Sequence, residues 1–358
     1  VQQAHQNGIT GEGVKVGIID DGFDTHNPAI SSNIVDTKSF REIEGDPAHG
    51  TSVAETVVRT APDSQLYVTT TSTGTDTEAA INYLSGQNVD IIVYSAGFPV
   101  IDDDGKHFLT DDITKATKNG TLFVNSAGNN AQLHWEGNFR DSDLDDIHEW
   151  SANGDEQSCI PNCNSRYSGD IEIFIRWNNT ENPQSHYRPL LYNPIAEEYI
   201  AVDTDGVDRT GFGTSYTRLS GRITQSQAVD LVVDRVEGSP NDEIEIIVAG
   251  PQEIEHNIPS SSITAPGDVS EALTVAAYQR GISRGLDGQY PRQLASYSSR
   301  GPIDDGRTGI DVAGYTNIRT TNNFYNLPFP GTSAAAPYVG GVAALVHEKQ
   351  PTDPSPTE

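Results

Sequence analysis

The chain has 358 residues and a formal charge of −29, from 22 basic and 51 acidic residues. A field of this sign repels nucleic acid and anionic membrane surfaces, so neither is expected as a partner. The sequence has no apolar run of about 18 residues, which excludes a hydrophobic membrane span, and its length favours about two domains.

The first 130 residues alternate apolar runs with helical stretches. Near-continuous Val and Ile runs predict strands that are buried on both faces, which is typical of a parallel sheet with helices on both faces. The expected fold class is therefore α/β, with ligands bound beyond the carboxyl ends of the strands. The predicted strands are VKVGIID (14–20), LYVTT (66–70), VDIIVYSAG (89–97) and TLFVNSAGN (121–129), and the predicted helices cover 49–61, 75–87 and 110–120.

The pattern changes after residue 130. Apolar and polar residues alternate between turn residues, which predicts an inserted antiparallel β-sandwich-like domain over 131–258. The α/β pattern then returns, with a predicted strand over 272–278 and a long helix over 331–349. We therefore expect one discontinuous α/β domain, 1–130 and 259–358. The predicted strands of the insert cover 171–177, 199–205, 218–223, 228–236 and 243–250.

The insert carries two further signals. Cys159 and Cys163 are spaced to close a small loop as a disulfide, and two free thiols are the alternative. Asp141, Asp143 and Asp145 stand at alternate positions, as at the start of a calcium-binding loop. The calcium pattern is partial, because the Gly and the bidentate Glu of such loops are missing, and a solvated acidic loop is the alternative.

Four polar residues, Asp20, His49, Asn129 and Ser333, are candidates for a catalytic role. Asp20 ends the first strand, in the same row as Val16 and Ile18, so its partly buried carboxylate needs a partner. His49 begins a helix in HGTSVA, and Ser333 begins another in GTSAAAP. Taken singly, His49 reads as structural, Ser333 as an N-cap and Asn129, in SAGNN, as a turn residue.

In combination, these motifs resemble the signatures of subtilisin-like serine proteases, the subtilase family. VGIID-x-G, HGTSVA, SAGN and GTSxxxP occur in the family's order, and the resemblance covers about 1–130 and 262–350. It implies that Ser333 is the nucleophile, His49 the general base and Asp20 the carboxylate that orients His49. It also implies that Asn129 and the Ser333 N–H stabilise the oxyanion.

The same resemblance implies a substrate site. The 69–74 segment would pair with an extended substrate, and Phe98 replaces a frequent Gly and narrows the pocket entrance. The implied walls of the primary specificity pocket are Ser95, Ala96, Gly97, Ser126, Ala127 and Gly128. No cofactor is expected for catalysis, and structural calcium is common in the family.

The function expected is that of a secreted serine endopeptidase acting on proteins or peptides. A subtilase-type processing enzyme or transpeptidase would use the same triad and is the alternative. An inactive fold that serves as a binding module is disfavoured by the four intact residues. The family's propeptide is missing from the chain, so we expect it to have been removed.

The composition also bears on the source. The chain combines abundant Asp and Glu with basic residues that are mostly Arg. Scarce Lys in an acidic chain resembles the proteins of halophilic archaea, and an ordinary acidic secreted protein is the alternative.

Overall fold

The computed structural model describes residues 1–43, 45–101, 104–178, 184–200, 203–204, 206–209, 214–239, 242–280, 291–321 and 328–349. Its helices are α1 (Gln2–Gln6), α2 (Pro47–Thr60), α3 (Gly74–Gly86), α4 (Thr110–Lys118) and α5 (Thr332–Lys349). Its strands are β1 (Lys15–Asp20), β2 (Ile34–Ser39), β3 (Gln65–Thr70), β4 (Ile91–Tyr94), β5 (Leu122–Ser126), β6 (His134–Asn138), β7 (Ser158–Ile160), β8 (Tyr167–Asn178), β9 (His186–Asn193), β10 (Glu198–Ile200), β11 (Asp203–Thr204), β12 (Asp208–Arg209), β13 (Thr214–Gln227), β14 (Val229–Glu237), β15 (Glu243–Ala249), β16 (Ala272–Arg280), β17 (Arg292–Leu294) and β18 (Val312–Tyr315). None of these helices combines the length and the apolar character needed to cross a bilayer.

A mainly parallel sheet forms the α/β part. Its strand order is β17-β16-β5-β4-β1-β3-β2, and β18 also pairs with β16. Among the described strands of this sheet, β17 alone runs antiparallel to its neighbour. The predicted α/β class is confirmed, and the carboxyl ends of β1, β4 and β5 lie side by side at one edge.

Helices cover both faces of this sheet. On one face, Val57 of α2 and Ala335 of α5 share a core cluster with Ile18. On the other face, Ile81 of α3 lies in a second cluster with Ile19. Neighbouring residues of β1 therefore face opposite layers, as a pleated strand requires. The predicted alternation is confirmed, and it puts Asp20 on the same side of β1 as Ile18.

The segment between β5 and β16 builds two antiparallel sheets. One has the order β10-β9-β14-β7 and the other β11-β13-β8-β15-β6, with β12 paired to β13. Trp135, Ile173, Tyr187 and Leu231 come from both sheets and lie in one core cluster. The predicted antiparallel part of the fold is confirmed, and no helix occurs among the described residues of 131–258.

Some strands were missed because their sequences carry no apolar run. β2 (IVDTKS) is an edge strand with mostly exposed residues. β9 contains Pro189, which usually argues against a strand paired on both sides. Pro189 itself lies opposite β14 only, because β10 pairs with residues 191–193 of β9. The single strand predicted over 199–205 is found as β10 and β11, with residues 201, 202 and 205 outside the described part of the chain.

Cys159 and Cys163 form a disulfide, as the staple interpretation predicted. Cys159 lies in β7, and its N–H donates to the Glu255 carboxylate at 3.2 Å. The bridge therefore closes a short loop at the edge strand of one antiparallel sheet. The sequence contains no other cysteine.

Candidate active site

Asp20 and His49 are held together at the carboxyl end of β1. Asp20 is the last residue of the strand and is 6% exposed. His49 lies in the first turn of α2, which begins at Pro47 and is capped by the Asp46 side chain. The His49 Nδ1 atom lies 2.9 Å from each oxygen of the Asp20 carboxylate. This contact fixes the ring and leaves its Nε2 atom for other partners.

The surroundings of His49 favour its protonated form. Burial by itself lowers the pKa of His49, but the charge of Asp20 and its hydrogen bond to the ring raise it. The charges of Asp21 and Asp46 raise it further, and the net pKa of His49 lies above the ordinary value of 6.5. Asp21, which follows Asp20 in the sequence, therefore acts on His49 through its charge.

Ser333 lies in the first turn of α5, after Gly331 turns the chain with a φ of +88°. Its N–H is one of the helix N-terminal groups that have no intrahelical acceptor. The Ser333 Oγ atom donates to the Ser95 carbonyl oxygen at 3.3 Å, and Ser95 Oγ donates to the Ser333 carbonyl oxygen at 3.4 Å. Pro337 has no N–H to donate to the Ser333 carbonyl, which leaves that oxygen to Ser95.

Asn129 is tied to the same turn. Its Oδ1 atom accepts the Thr332 N–H at 2.9 Å and the Thr332 hydroxyl at 3.2 Å. Both acceptor contacts use the amide oxygen, so the amide nitrogen is the end that remains for a ligand. The side chain packs beside Gly331, where an added Cβ would stand 3.2 Å from the Asn129 Nδ2 atom.

The two predicted walls of the primary specificity pocket follow β4 and β5. A segment that contains Thr264 and Ala265, far later in the chain, is hydrogen-bonded to both walls. The Thr264 N–H donates to the Ala127 carbonyl at 3.4 Å, and the Phe98 N–H donates to the Ala265 carbonyl at 2.8 Å. A Cβ on Gly97 would stand 2.5 Å from the Thr264 Oγ1 atom, and one on Gly128 would stand 3.1 Å from it. Thr264, which sequence analysis missed, therefore fills the space between the walls.

An open cleft of about 390 Å³ lies beside the Asp20–His49 pair. Phe98, which replaces a frequent Gly of the family, is part of its wall, as are residues of the predicted substrate-pairing segment. The cleft is lined by Asp20, Asp21, His49, Thr71, Ser72, Thr73, Thr77, Tyr94, Ser95, Ala96, Gly97 and Phe98. Ser126 and Ala127, by contrast, are buried at the end of β5.

The predicted calcium ligands Asp141, Asp143 and Asp145 do come together. One carboxylate oxygen from each lies within 4.8 Å of the others. The Asp141 side chain is fully buried, and it forms an ion pair with Arg235 at 2.9 Å. Its two oxygens also accept three backbone N–H groups of the same loop. The Asp141 carboxylate is therefore already satisfied by contacts within the protein.

A carboxylate-bound imidazole, a serine at a helix N-terminus and an adjacent amide are the groups of a serine hydrolase site. The Subtilase family model (Peptidase_S8) matches residues 11–161 and 214–358. The chain therefore belongs to the subtilase family.

Individual relatives agree with this assignment. The major intracellular serine protease of Bacillus subtilis is 30% identical over 146 residues, which cover 34% of this chain and 44% of that protein. Subtilisin BL of Lederbergia lenta is 32% identical over 222 residues, which cover 55% of this chain and 77% of that protein. The match spans 44%, 50% and 36% of the first three curated relatives, which is half of their length or less.

The fold is also found among solved structures. The Clostridium perfringens CspB protease superposes with a TM-score of 0.59 at 16% identity. That match covers 97% of this chain and 86% of the CspB chain. At this identity the likeness concerns the fold alone.

Proposed function

We propose that the protein is a serine endopeptidase that hydrolyses peptide bonds through an acyl-enzyme on Ser333. The observation that carries the proposal is the contact of His49 Nδ1 with both oxygens of Asp20 at 2.9 Å. With Nδ1 donating to Asp20, Nε2 is the basic nitrogen of the neutral ring. This is the tautomer that a general base for a serine hydroxyl requires.

Acylation begins when the Ser333 hydroxyl turns from the Ser95 carbonyl toward His49 Nε2. Catalytic hydrogen bonds are often loose before substrate binds, so the resting contact with Ser95 agrees with this role. As Oγ attacks the scissile carbonyl carbon, its proton passes to Nε2, and the Asp20 carboxylate stabilises the imidazolium. The same proton is then given to the leaving amine.

The oxyanion of the tetrahedral intermediate needs donors that are already in place. The Asn129 amide nitrogen and the Ser333 N–H are the two donors that we assign. Thr332 holds the amide oxygen of Asn129, which leaves the amide nitrogen as the end available to the oxyanion. Water then attacks the acyl carbon, His49 accepts its proton, and Ser333 Oγ leaves as the restored hydroxyl.

The substrate site is proposed to lie along the cleft and between the two walls. Thr264 leaves little depth between Gly97 and Gly128, and Phe98 stands at the entrance. We therefore propose cleavage after small side chains. The 69–74 segment would pair with the extended substrate, as β edges do in other peptide sites.

The direct test is cleavage-site profiling on a denatured protein mixture. The wild-type chain should cut within polypeptides, and Ser333→Ala should not. Adding an amine nucleophile and analysing the products by mass spectrometry separates hydrolysis from the transpeptidase alternative. Aminolysis products as the main species would favour that alternative, and no Ser333-dependent cleavage would contradict the proposal.

The proposed location is extracellular, after removal of a propeptide, and a halophilic source is proposed from composition alone. A salt series carried out with the same substrates tests the second point. Stability and activity that do not change with salt would count against a halophilic source.

The prediction of a calcium site at Asp141, Asp143 and Asp145 has less support than the proposed triad. We propose that Arg235 supplies the positive charge that holds the loop of Asp141, Asp143 and Asp145, so that calcium is not needed there. Calorimetric titration with calcium chloride should show no binding that depends on Asp143. Saturable binding lost in Asp143→Asn would instead support calcium.

We also propose the division into 1–130 with 259–358 and an inserted 131–258 domain of accessory role. Separate core clusters support it, because each can open as its own cooperative unit. Hydrogen exchange in rising denaturant should show the two antiparallel sheets opening at a different concentration from β1, β3, β4 and β5. A single opening of all sheets would contradict the division.

A further inference from the structure

Gly331, two residues before Ser333, is hydrogen-bonded through both its N–H and its carbonyl. The N–H donates to the Tyr297 hydroxyl at 3.1 Å. The carbonyl accepts the Thr316 hydroxyl at 3.0 Å, and the two hydroxyl oxygens are themselves 3.0 Å apart. A closed ring of three hydrogen bonds therefore surrounds the turn that leads into the nucleophile.

The direction of each bond in this ring follows from its chemistry. A carbonyl can only accept, so the single Thr316 hydroxyl proton goes to Gly331. Thr316 must then accept from Tyr297, whose oxygen in turn accepts the Gly331 N–H. Each hydrogen atom of the ring therefore has a single acceptor, so the ring holds the Gly331 peptide groups in one orientation. Without the Tyr297 hydroxyl, two of its three bonds are lost.

The Tyr297 segment also holds the loop that carries Asn129. The Ala131 N–H donates to the Tyr297 carbonyl at 3.1 Å. The Ser299 N–H donates to the Gly128 carbonyl at 3.0 Å, and Ser299 Oγ accepts the Asn130 N–H at 3.0 Å. These bonds lie on both sides of Asn129 along the chain.

Residues 297–299 are also connected to the mainly parallel sheet through neighbouring hydrogen bonds to β16. The Ala277 N–H of β16 donates to Ser298 Oγ at 3.0 Å, and the Ala277 carbonyl accepts the Ala295 N–H at 2.9 Å. Ser298 is fully buried, and Thr316 is 7% exposed. Residues 297–299 are thus fixed to β16 while they contact both the Asn129 loop and the Gly331 turn.

We propose that Tyr297 is a positioning residue of the reaction, whose hydroxyl sets the placement of Ser333 relative to Asn129. This inference rests on the proposed function, because it concerns the two oxyanion donors that we assigned. Tyr297 itself does not touch the reacting atoms. A shift of the Gly331 turn would move the Ser333 N–H and Oγ away from the oxyanion position defined by Asn129.

The first test is Tyr297→Phe, which removes only the hydroxyl. We expect kcat on a peptide substrate to fall on the order of tenfold with little change in KM, because misplacement affects the transition state more than binding. Thr316→Val should act in the same direction, and Thr316→Ser, which keeps the hydroxyl, should recover most of that loss. The matched control is Tyr83→Phe, which removes a hydroxyl bonded to Asp36, away from this ring.

A double-mutant cycle separates positioning from general loss of stability. In an Asn129→Ala background, Tyr297→Phe should cost clearly less than it does in the wild type, because the donor that it aligns is already gone. An equal fold-loss in both backgrounds, or wild-type kcat in Tyr297→Phe, would overturn the inference. If the wild-type chain shows no Ser333-dependent cleavage, the proposed function fails first and the inference fails with it.

Discussion

Ser95 and Ser333 are joined by reciprocal hydrogen bonds, each hydroxyl donating to the other residue's carbonyl oxygen. The pair connects the end of β4 to the first turn of α5, so that the wall of the cleft and the proposed nucleophile are joined directly. In this resting arrangement the Ser333 hydroxyl is bonded to Ser95 and not to His49. The proposed mechanism therefore requires the Ser333 side chain to rotate when substrate binds.

Asn129 offers a variant that separates its two roles. Asn129→Asp keeps an oxygen for Thr332 but loses the N–H donor and adds a negative charge. We expect kcat to fall about 100- to 1000-fold, the size of the loss when subtilisin itself loses this kind of donor. The matched control is Asn130→Ala, which should stay near the wild type. The measurement is kcat of both variants on one peptide substrate. Full kcat in Asn129→Asp would contradict the role of Asn129 as an oxyanion donor.

Asp20 and Asp21 are adjacent, but the structure predicts different effects of their removal. Asp20→Asn removes the negative charge beside His49 and lets an amide N–H face Nδ1, so the required tautomer is no longer fixed and kcat should fall about 10⁴-fold. Asp21→Asn should retain turnover. Equal losses in the two variants, measured on one peptide substrate, would contradict this assignment.

The pH profile carries a separate prediction. Activity needs neutral His49, whose pKa is raised above its ordinary value, so kcat/KM should rise with pH through a midpoint above that value. The negative charge of Asp21 is one of the causes of the raised pKa. Asp21→Asn should therefore move the midpoint to lower pH, and an unchanged or higher midpoint would show that Asp21 does not act on His49.

Thr264 is predicted to limit the side chain that precedes the cleaved bond. Thr264→Gly removes the group that stands between Gly97 and Gly128, so cleavage should extend to residues such as Leu and Phe. Cleavage-site profiling of the two proteins on one peptide library measures the change. Thr316→Ser, which leaves this space untouched, is the control for specificity. Identical profiles for wild type and Thr264→Gly would contradict the role of Thr264.

His148 makes stability depend on pH. It is packed among Trp135, Phe139 and Trp150, and burial, with the charge of Arg140, lowers its pKa to about 4. The unfolded chain binds a proton near the ordinary pKa of 6.5, whereas the folded one does not until about 4. Stability is therefore lost as pH falls through that window, by about 3 kcal/mol for this group.

The control for this prediction is His148→Phe, which keeps a ring but cannot titrate. Denaturant unfolding at pH 7 and at pH 4.5 gives the difference in the free energy of unfolding for each protein. The difference should be smaller in His148→Phe than in the wild type. The same difference in both proteins would mean that carboxylates, and not His148, govern the acid sensitivity.

The residues proposed as the triad could be singled out in the sequence because each lies in a short local pattern. Asp20 ends an apolar strand, and His49 and Ser333 begin helices rich in small residues, so local geometry already limits where their side chains lie. The parallel sheet was predictable for a similar reason, since strands buried on both faces read as unbroken apolar runs. The polar edge strand β2 lacks that signal and was missed.

The groups that shape the site were not predictable, because they act across long sequence distances. Thr264 meets Gly97 and Gly128 only after the chain has passed through two antiparallel sheets. Tyr297 looks like an ordinary core aromatic until its hydroxyl is seen beside Gly331. Arg235 lies in β14 and forms ion pairs with an acidic loop far earlier in the chain, for which the sequence left a calcium site and a solvated loop as alternatives.

In the proposed mechanism, Ser333 is a nucleophile activated by His49. The most direct measurement is labelling with a serine-directed phosphonofluoridate, followed by peptide mass spectrometry. We predict one adduct, on Ser333, that is absent in Ser333→Ala and forms far more slowly in His49→Ala. No adduct on Ser333 in the folded wild-type chain, or an equally fast reaction in His49→Ala, would contradict these roles of Ser333 and His49.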